Sequence, residues 1–276
     1  MNRFLLMLGA VLVVDLVAAS ARASDAPAMS QSWRNPKDAM DFVRVPAGSF
    51  DVQTADGASS QTANSTNTTI RIPEGFWMAR TETTVGQFRR FVRQTGYVTD
   101  AEKAKSRFVW SSPGFKQTDK HPVVFLSYQD ALNYARWAGV DLPTEQEWLY
   151  ACRAGTTSQF YWGDALDDRF VWHRANTGGT GTRPVARKRP NAWGLYDMVG
   201  NAWEYCRVDE VCYVFRGSSW TRCPEYRTRQ GFMATNLIAD GVANKLTRHE
   251  HPNPAPPYPW DDDRGFRCVL HEGSTR

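Results

Sequence analysis

Hydrophobic positions recur at helical spacing in three short stretches and thin out beyond them. Val85, Phe88, Phe91 and Val92 share one face of a helix that Thr84 can cap and that ends before Gly96. Ser127 and Asp130 form a capping arrangement ahead of Ala131, Leu132, Ala135 and Ala138, with Gly139 as the stop. Thr144-Glu145-Gln146-Glu147 is a capping box that leads into Trp148, Leu149 and Cys152 and is stopped at Gly155. Phe42-Val43-Arg44-Val45 reads as a strand closed by the turn Pro46-Ala47-Gly48. From Thr54 to Thr69 the chain is rich in Ser, Thr, Asn and Gln and almost uncharged, which predicts an exposed loop. That loop holds two glycosylation-type triplets, at Asn64 and Asn67, which matter only in a host that glycosylates. After Gly155 the periodicity fades into short aromatic strands, turns and long loops, and such a half needs disulfide or metal staples.

The first residues carry an address, not a fold. Arg3 supplies a short basic region, Phe4 to Ala18 an apolar run interrupted by Asp15, and Ala21-Arg22-Ala23 a small-x-small cleavage site. The run is too short to span a bilayer. We therefore expect a cleaved signal over residues 1–23, a small, polar linker over 24–40 and one domain over 41–272. The expected home is the periplasm or the exterior, where disulfides persist, with no membrane contact after cleavage.

The 276 residues hold 33 Lys and Arg against 29 Asp and Glu, a net charge of +4. An excess so small and dispersed argues against a nucleic-acid partner. Eleven Trp and 13% aromatic residues imply ring-lined clefts. Five Cys are an odd number, so pairing within the chain leaves at least one thiol over.

Several segments together resemble the formylglycine-generating enzyme (sulfatase-modifying factor) family. They are residues 42–50, the run Glu82-Thr83-Thr84-Val85-Gly86-Gln87-Phe88, and His121-Pro122-Val123-Val124. Residues 142–155 and, most strongly, residues 191–204 follow, with Arg216-Gly217-Ser218-Ser219-Trp220 and Gly265-Phe266-Arg267-Cys268 completing the set in family order. The resemblance implies a mixed α/β (α+β) fold: a single compact domain with a C-type-lectin-like core and sparse regular secondary structure. It also implies a structural calcium held by Asp197, Gly200, Ala202 and Glu204, a hard all-oxygen set that suits calcium over zinc. The bland reading of that segment is a tight turn with two solvated carboxylates. A second family calcium site would include Asn176, but Gly178-Gly179-Thr180-Gly181 lacks its acidic ligand. Cys152 and Cys268 fall where some members carry a disulfide. Cys206, Cys212 and Cys223 then remain; if Cys206 and Cys212 pair, Cys223 is left over, and other pairings stay open.

The catalytic segment departs from the family pattern. Formylglycine-forming members follow Gly-Gly-Ser-Tyr/Trp with two cysteines five apart that bind copper. Aligned without a gap, Arg222 and Arg227 stand at those two positions and Cys223 is one place off. A guanidinium stays protonated and is no soft copper ligand, which argues against copper and leaves any redox cofactor unidentified. The expected cleft is cationic and aromatic, with substrate contacts from Trp203, Arg216, Ser219, Trp220, Tyr226, Arg227 and Arg229. Such a lining suits an anionic or planar aromatic substrate, small or peptide-linked. The alternative is that the arginines pair internally with Glu204, Glu225 and the Asp261–Asp263 triplet. Catalytic candidates are Arg222, Cys223 and Glu250. Glu250 lies in His249-Glu250-His251, an alternation that puts two imidazoles on one side of an extended segment but reads equally as a polar surface loop.

Exported family members without the cysteine pair include one that matures the siderophore pyoverdine. The resemblance thus implies oxidative tailoring of a secreted aromatic metabolite, with the dihydro-chromophore precursor as substrate. Two rivals are a non-catalytic lectin-like module serving an exported metalloenzyme, and formylglycine generation on sulfatases.

Overall fold

The structure is a computed structural model that describes residues 32–55, 65–209, 213–221 and 261–272. Its central feature is a four-stranded antiparallel sheet, made of β1 (Ser32–Arg34), β2 (Asp41–Val45), β5 (Phe76–Ala79) and β9 (Val269–His271), in the order β1-β2-β5-β9. Side chains alternate across a strand, so consecutive residues serve opposite faces. Phe42 packs into one of the two larger core clusters and Val43 into the other, and Ala79 and Met78 divide the same way. A sheet buried on both faces needs cover on both. One cluster is covered by α1 (Val85–Thr95) and α3 (Tyr128–Ala138), with Phe88, Phe91, Tyr134 and Phe266 meeting edge to face or stacked. The other is covered by α4 (Glu145–Arg153), whose Trp148 and Cys152 pack with Met198 and Cys206.

The three helices start where the capping pattern predicts. Thr84, Ser127 and Thr144 each accept from the backbone three residues on, and Gln87, Asp130 and Glu147 return the bond. A further capping box, Thr99 with Glu102, opens the one-turn helix α2 (Asp100–Lys103), which lacks the apolar period that would announce it. The 54–69 stretch is not simply a loop. Gly48–Ala55 (β3) pairs with Ser65–Ile72 (β4) in an antiparallel hairpin, its β-favouring Thr and Ile residues outweighing the polar composition. The second half is sparse, as expected: the one-turn helix α5 (Arg174–Thr177) and a small sheet of β6 (Trp203–Arg207), β7 (Tyr213–Arg216) and β8 (Arg264–Gly265).

Residues 32–40 belong to the domain, which corrects the expected linker. β1 pairs with β2, Asn35 Nδ2 donates to Ala138 O at 3.1 Å, and Tyr134 donates its hydroxyl to Asp38 Oδ2 at 2.6 Å. The expected Cys152–Cys268 bridge is not formed either. Both are buried thiols, and they sit in different clusters: Cys268 with Tyr134 and Phe266, Cys152 with Trp148 and Met198. Cys152 Sγ is 3.7 Å from Met198 O, and Cys268 Sγ is 3.9 Å from Thr83 Oγ1. Burial raises both thiol pKa values, so neither is a ready thiolate. Cys206 is a third buried thiol, while Cys212, Cys223 and the signal over residues 1–23 lie outside the described residues. Among the described residues no helix is long and apolar enough to cross a membrane.

Candidate functional site

Beyond β7 the chain turns through Gly217 and Ser218, and residues 219–221 are latched to 261–263. Ser218 holds φ at 69°, a left-handed conformation that favours glycine, and its buried hydroxyl has no partner. Ser219 and Thr221 both donate to Asp263 Oδ2, at 2.7 and 2.8 Å. Trp220 Nε1 reaches Asp262 O at 3.3 Å, its N–H donates to Asn201 O at 3.0 Å, and its carbonyl accepts from Thr177 Oγ1 at 3.3 Å. Trp220 is thereby fixed from three sides.

Against it opens a pocket of about 600 Å³. Its aromatic walls are Phe108, Phe115, Phe125 and Trp220; its charged residues are Lys116, Arg183 and Asp262. Phe115 meets Trp220 edge-on at 5.7 Å, and Phe108 meets Phe125 at 5.9 Å. Gly181 lets this wall close: at φ 123° a Cβ there would lie 2.5 Å from the Phe115 ring. Arg183 donates to the carbonyls of Thr177, Gly181 and Thr182 and to Thr180 Oγ1. Neutral carbonyls fix the guanidinium without cancelling its charge. That charge, after burial, lowers the pKa of neighbouring His121. Asp262 is pushed up to about 6 by burial and then by Asp263 and Asp261, the three carboxylates lying within 4.8 Å of one another.

The calcium segment forms a second buried centre. Asp197, at φ 54°, accepts from Ala186 N at 2.7 Å through Oδ2, while Oδ1 is buried without a partner. Gly200 is required there, since a Cβ would fall 2.1 Å from Trp172 O. Glu204 accepts from Trp148 Nε1 at 2.7 Å and from Arg267 Nε and Nη2 at 2.6 and 2.7 Å. The expected set of Asp197, Gly200, Ala202 and Glu204 therefore does not fit a calcium ion as a unit: a buried guanidinium already holds both Glu204 oxygens. Glu82, unremarked as a site in the sequence, is also fully buried here, with neither carboxylate oxygen hydrogen-bonded. Burial and then the charges of Asp197 and Glu204 push its pKa well up, and burial takes Asp197 to about 6. Arg267 is the cation on which this acidic core centres. Asn176 is occupied as well, donating to Val171 O at 2.9 Å and accepting from His173 N at 3.0 Å.

The candidate residues of the cleft separate. Trp220 lines the pocket, and Ser219 braces it through Asp263. Arg216 does not join it: it is buried on β7 and ion-paired to Glu145, because its place opposite Glu204 on β6 turns it toward the start of α4. Trp203, half-buried at the start of β6, lies outside the pocket lining and donates its N–H to Asp263 O at 2.7 Å. Arg222, Cys223, Tyr226, Arg227, Arg229 and Glu250 lie outside the described residues. The cations that do line the pocket, Lys116 and Arg183, come from two glycine-bearing loops, Pro113-Gly114-Phe115-Lys116 and residues 178–183. Loop glycines next to a lone cation were the available signal.

Residues 27–272 match the sulfatase-modifying factor enzyme 1-like domain. The chain belongs to that family. Formylglycine-generating enzyme from Mus musculus is 31% identical over 233 residues, 67% of this chain and 62% of the mouse protein. The chain thus spans less than two thirds of that relative. The protein called inactive C-alpha-formylglycine-generating enzyme 2 from Bos taurus is also 31% identical, over 67% of this chain and 74% of its own length. Among solved structures, PvdO from Pseudomonas aeruginosa superposes with a TM-score of 0.63 at 23% identity, over 89% of this chain and all of that one. The family therefore embraces active and inactive members, and the PvdO likeness establishes the fold.

Proposed function

We propose that the protein serves the oxidative tailoring of a secreted aromatic metabolite in the periplasm, with the dihydro-chromophore precursor of pyoverdine as the substrate. The observation that carries this reading is the pocket: four aromatic walls around about 600 Å³, sized for a fused ring, beside two cations. The replacement of the copper cysteines by Arg222 and Arg227 supports a chemistry other than formylglycine formation, as does the family's inclusion of a member called inactive. The likeness to PvdO is one of fold, and the reading is compatible with it. The precursor loses two electrons and two protons as its ring system becomes fully conjugated, and an external two-electron acceptor takes up the electrons. The chain's own part is to bind and orient the ring against the wall that Phe115 and Trp220 form together.

A clean deletion strain is expected to secrete a precursor two hydrogens richer than the product, read by mass spectrometry and by lost visible fluorescence. Normal product from that strain refutes the assignment. Formylglycine formation is checked separately by incubating the protein with a cysteine-containing sulfatase peptide and copper; no aldehyde is expected.

A further inference from the structure

The pocket is electrically polarised, and its polarity describes its ligand more closely than its aromatic walls do. Its two cations come from the loops at 113–116 and 179–183, while its carboxylate comes from the 261–263 segment. Arg183 has four terminal N–H bonds to carbonyl or hydroxyl oxygens, so it acts as a fixed positive charge and not as a fork for the ligand. Lys116 is an exposed residue of the lining with three donors, and among the described residues no carboxylate is ion-paired with it. Asp262 is not neutralised by either cation: the charges acting on it most are the neighbouring carboxylates Asp263 and Asp261. Asp263 is committed to Ser219 and Thr221, and Asp261 lies 3.5 Å from Arg264 and makes a side-chain hydrogen bond with Asp262, which is the acidic residue of the three in the cavity lining.

We propose that the pocket selects a planar fused aromatic carrying two marks: a carboxylate received by Lys116 in the field of Arg183, and a hydroxyl that donates to Asp262. This rests on the functional reading only in using the same pocket; it names the ligand class by its charges. An aryl carboxylate gains a charge-assisted bond at Lys116, and a ring hydroxyl gives Asp262 a donor that a bare ring lacks. The ring lies between, stacked or edge-on to Phe115 and Trp220. A ligand with the carboxylate esterified forfeits the first mark, and one without the hydroxyl forfeits the second.

The probes are 6-hydroxy-2-naphthoate, its methyl ester and 2-naphthoate, titrated calorimetrically into the purified full chain at low salt and pH 7.5. The hydroxy-acid is expected to bind about tenfold more tightly than the ester and several-fold more tightly than 2-naphthoate, consistent with one charge-assisted bond each. Lys116→Met, at an exposed position that leaves the core untouched, is expected to erase the acid-over-ester preference and to keep the hydroxyl preference. Asp262→Asn is expected to do the reverse. Equal binding of acid and ester, an unchanged preference in Lys116→Met, or no binding of any probe by the folded protein overturns the proposal. The deletion phenotype separates the two readings: a strain that accumulates the reduced precursor, together with a protein lacking these preferences, keeps the oxidative role and discards this ligand class. Normal product together with the expected preferences does the opposite.

Discussion

Arg267 decides the electrostatics of the core. It is fully buried, and although burial opposes its charge, Glu204 and then Glu82 and Asp197 hold its pKa above the ordinary arginine value. Removing one partner of a buried pair strands the other, which costs about 3–5 kcal/mol. Arg267→Met is thus expected to lower unfolding free energy by about that much in urea melts, whereas Lys116→Met stays within about 0.5 kcal/mol of the parent. At the sheet's far edge, His271 Nε2 and Glu147 Oε1 lie 2.6 Å apart. The hydrogen bond to Glu147 raises the His271 pKa above 6.5, and against burial the bond from His271 lowers that of Glu147 below 4.5. The histidine's contribution is complete below 6.5 and is lost as pH rises through its raised folded value; the glutamate's is complete above 4.5 and is lost as pH falls through its lowered one. The melting-temperature gap between parent and His271→Gln is expected to be widest between 4.5 and 6.5 and to shrink toward pH 9. A gap that grows with pH contradicts the assignment.

At the scale of elements, caps were legible and packing partners were not. Thr84, Ser127 and Thr144 start their helices as read, because a cap is a contact between residues three apart and needs nothing beyond local backbone. Thr144→Ala is expected to cost about 1 kcal/mol in thermal or urea unfolding, with no change in the naphthoate preferences, since α4 lies away from the pocket. The β3–β4 hairpin was missed because its pairing joins residues far apart through a polar connection, and composition spoke for a loop. The same blindness let Cys152 and Cys268 pass as partners. Motif position says nothing about which face of a sheet a residue serves, and these two serve opposite faces.

For the whole molecule, the domain begins earlier than the hydrophobic pattern suggests. Residues 32–40 contribute an edge strand and two side-chain anchors onto α3, Asn35 to Ala138 and Asp38 to Tyr134. A chain beginning at Asp41 is therefore expected to melt lower than one beginning at residue 32, and equal melting temperatures would return that stretch to linker status. The central sheet, buried on both faces, organises the rest: the two larger core clusters lie one on each side of it, and a third, smaller cluster around Val124, Phe125 and Ala202 backs the pocket through Phe108 and Phe115. A scaffold packed this way holds its loops in place without needing regular structure in them.

Local chemistry and motif order determined the family, the mixed α/β class, the three capped helices and the departure at the copper positions, since each is carried by residues close in sequence or by a run of short signatures. Trp220 and Ser219 were legible for the same reason, sitting inside one such signature. Only the tertiary structure decided that Glu204 answers Arg267, that Arg216 turns away to Glu145, and that Lys116, Arg183 and Asp262 meet at one pocket. Those outcomes depend on which distant side chains reach a buried charge first. Whether a buried carboxylate gains a cation, as Glu204 does from Arg267, or none, as at Glu82, is decided by packing across the fold, where no spacing along the chain records it.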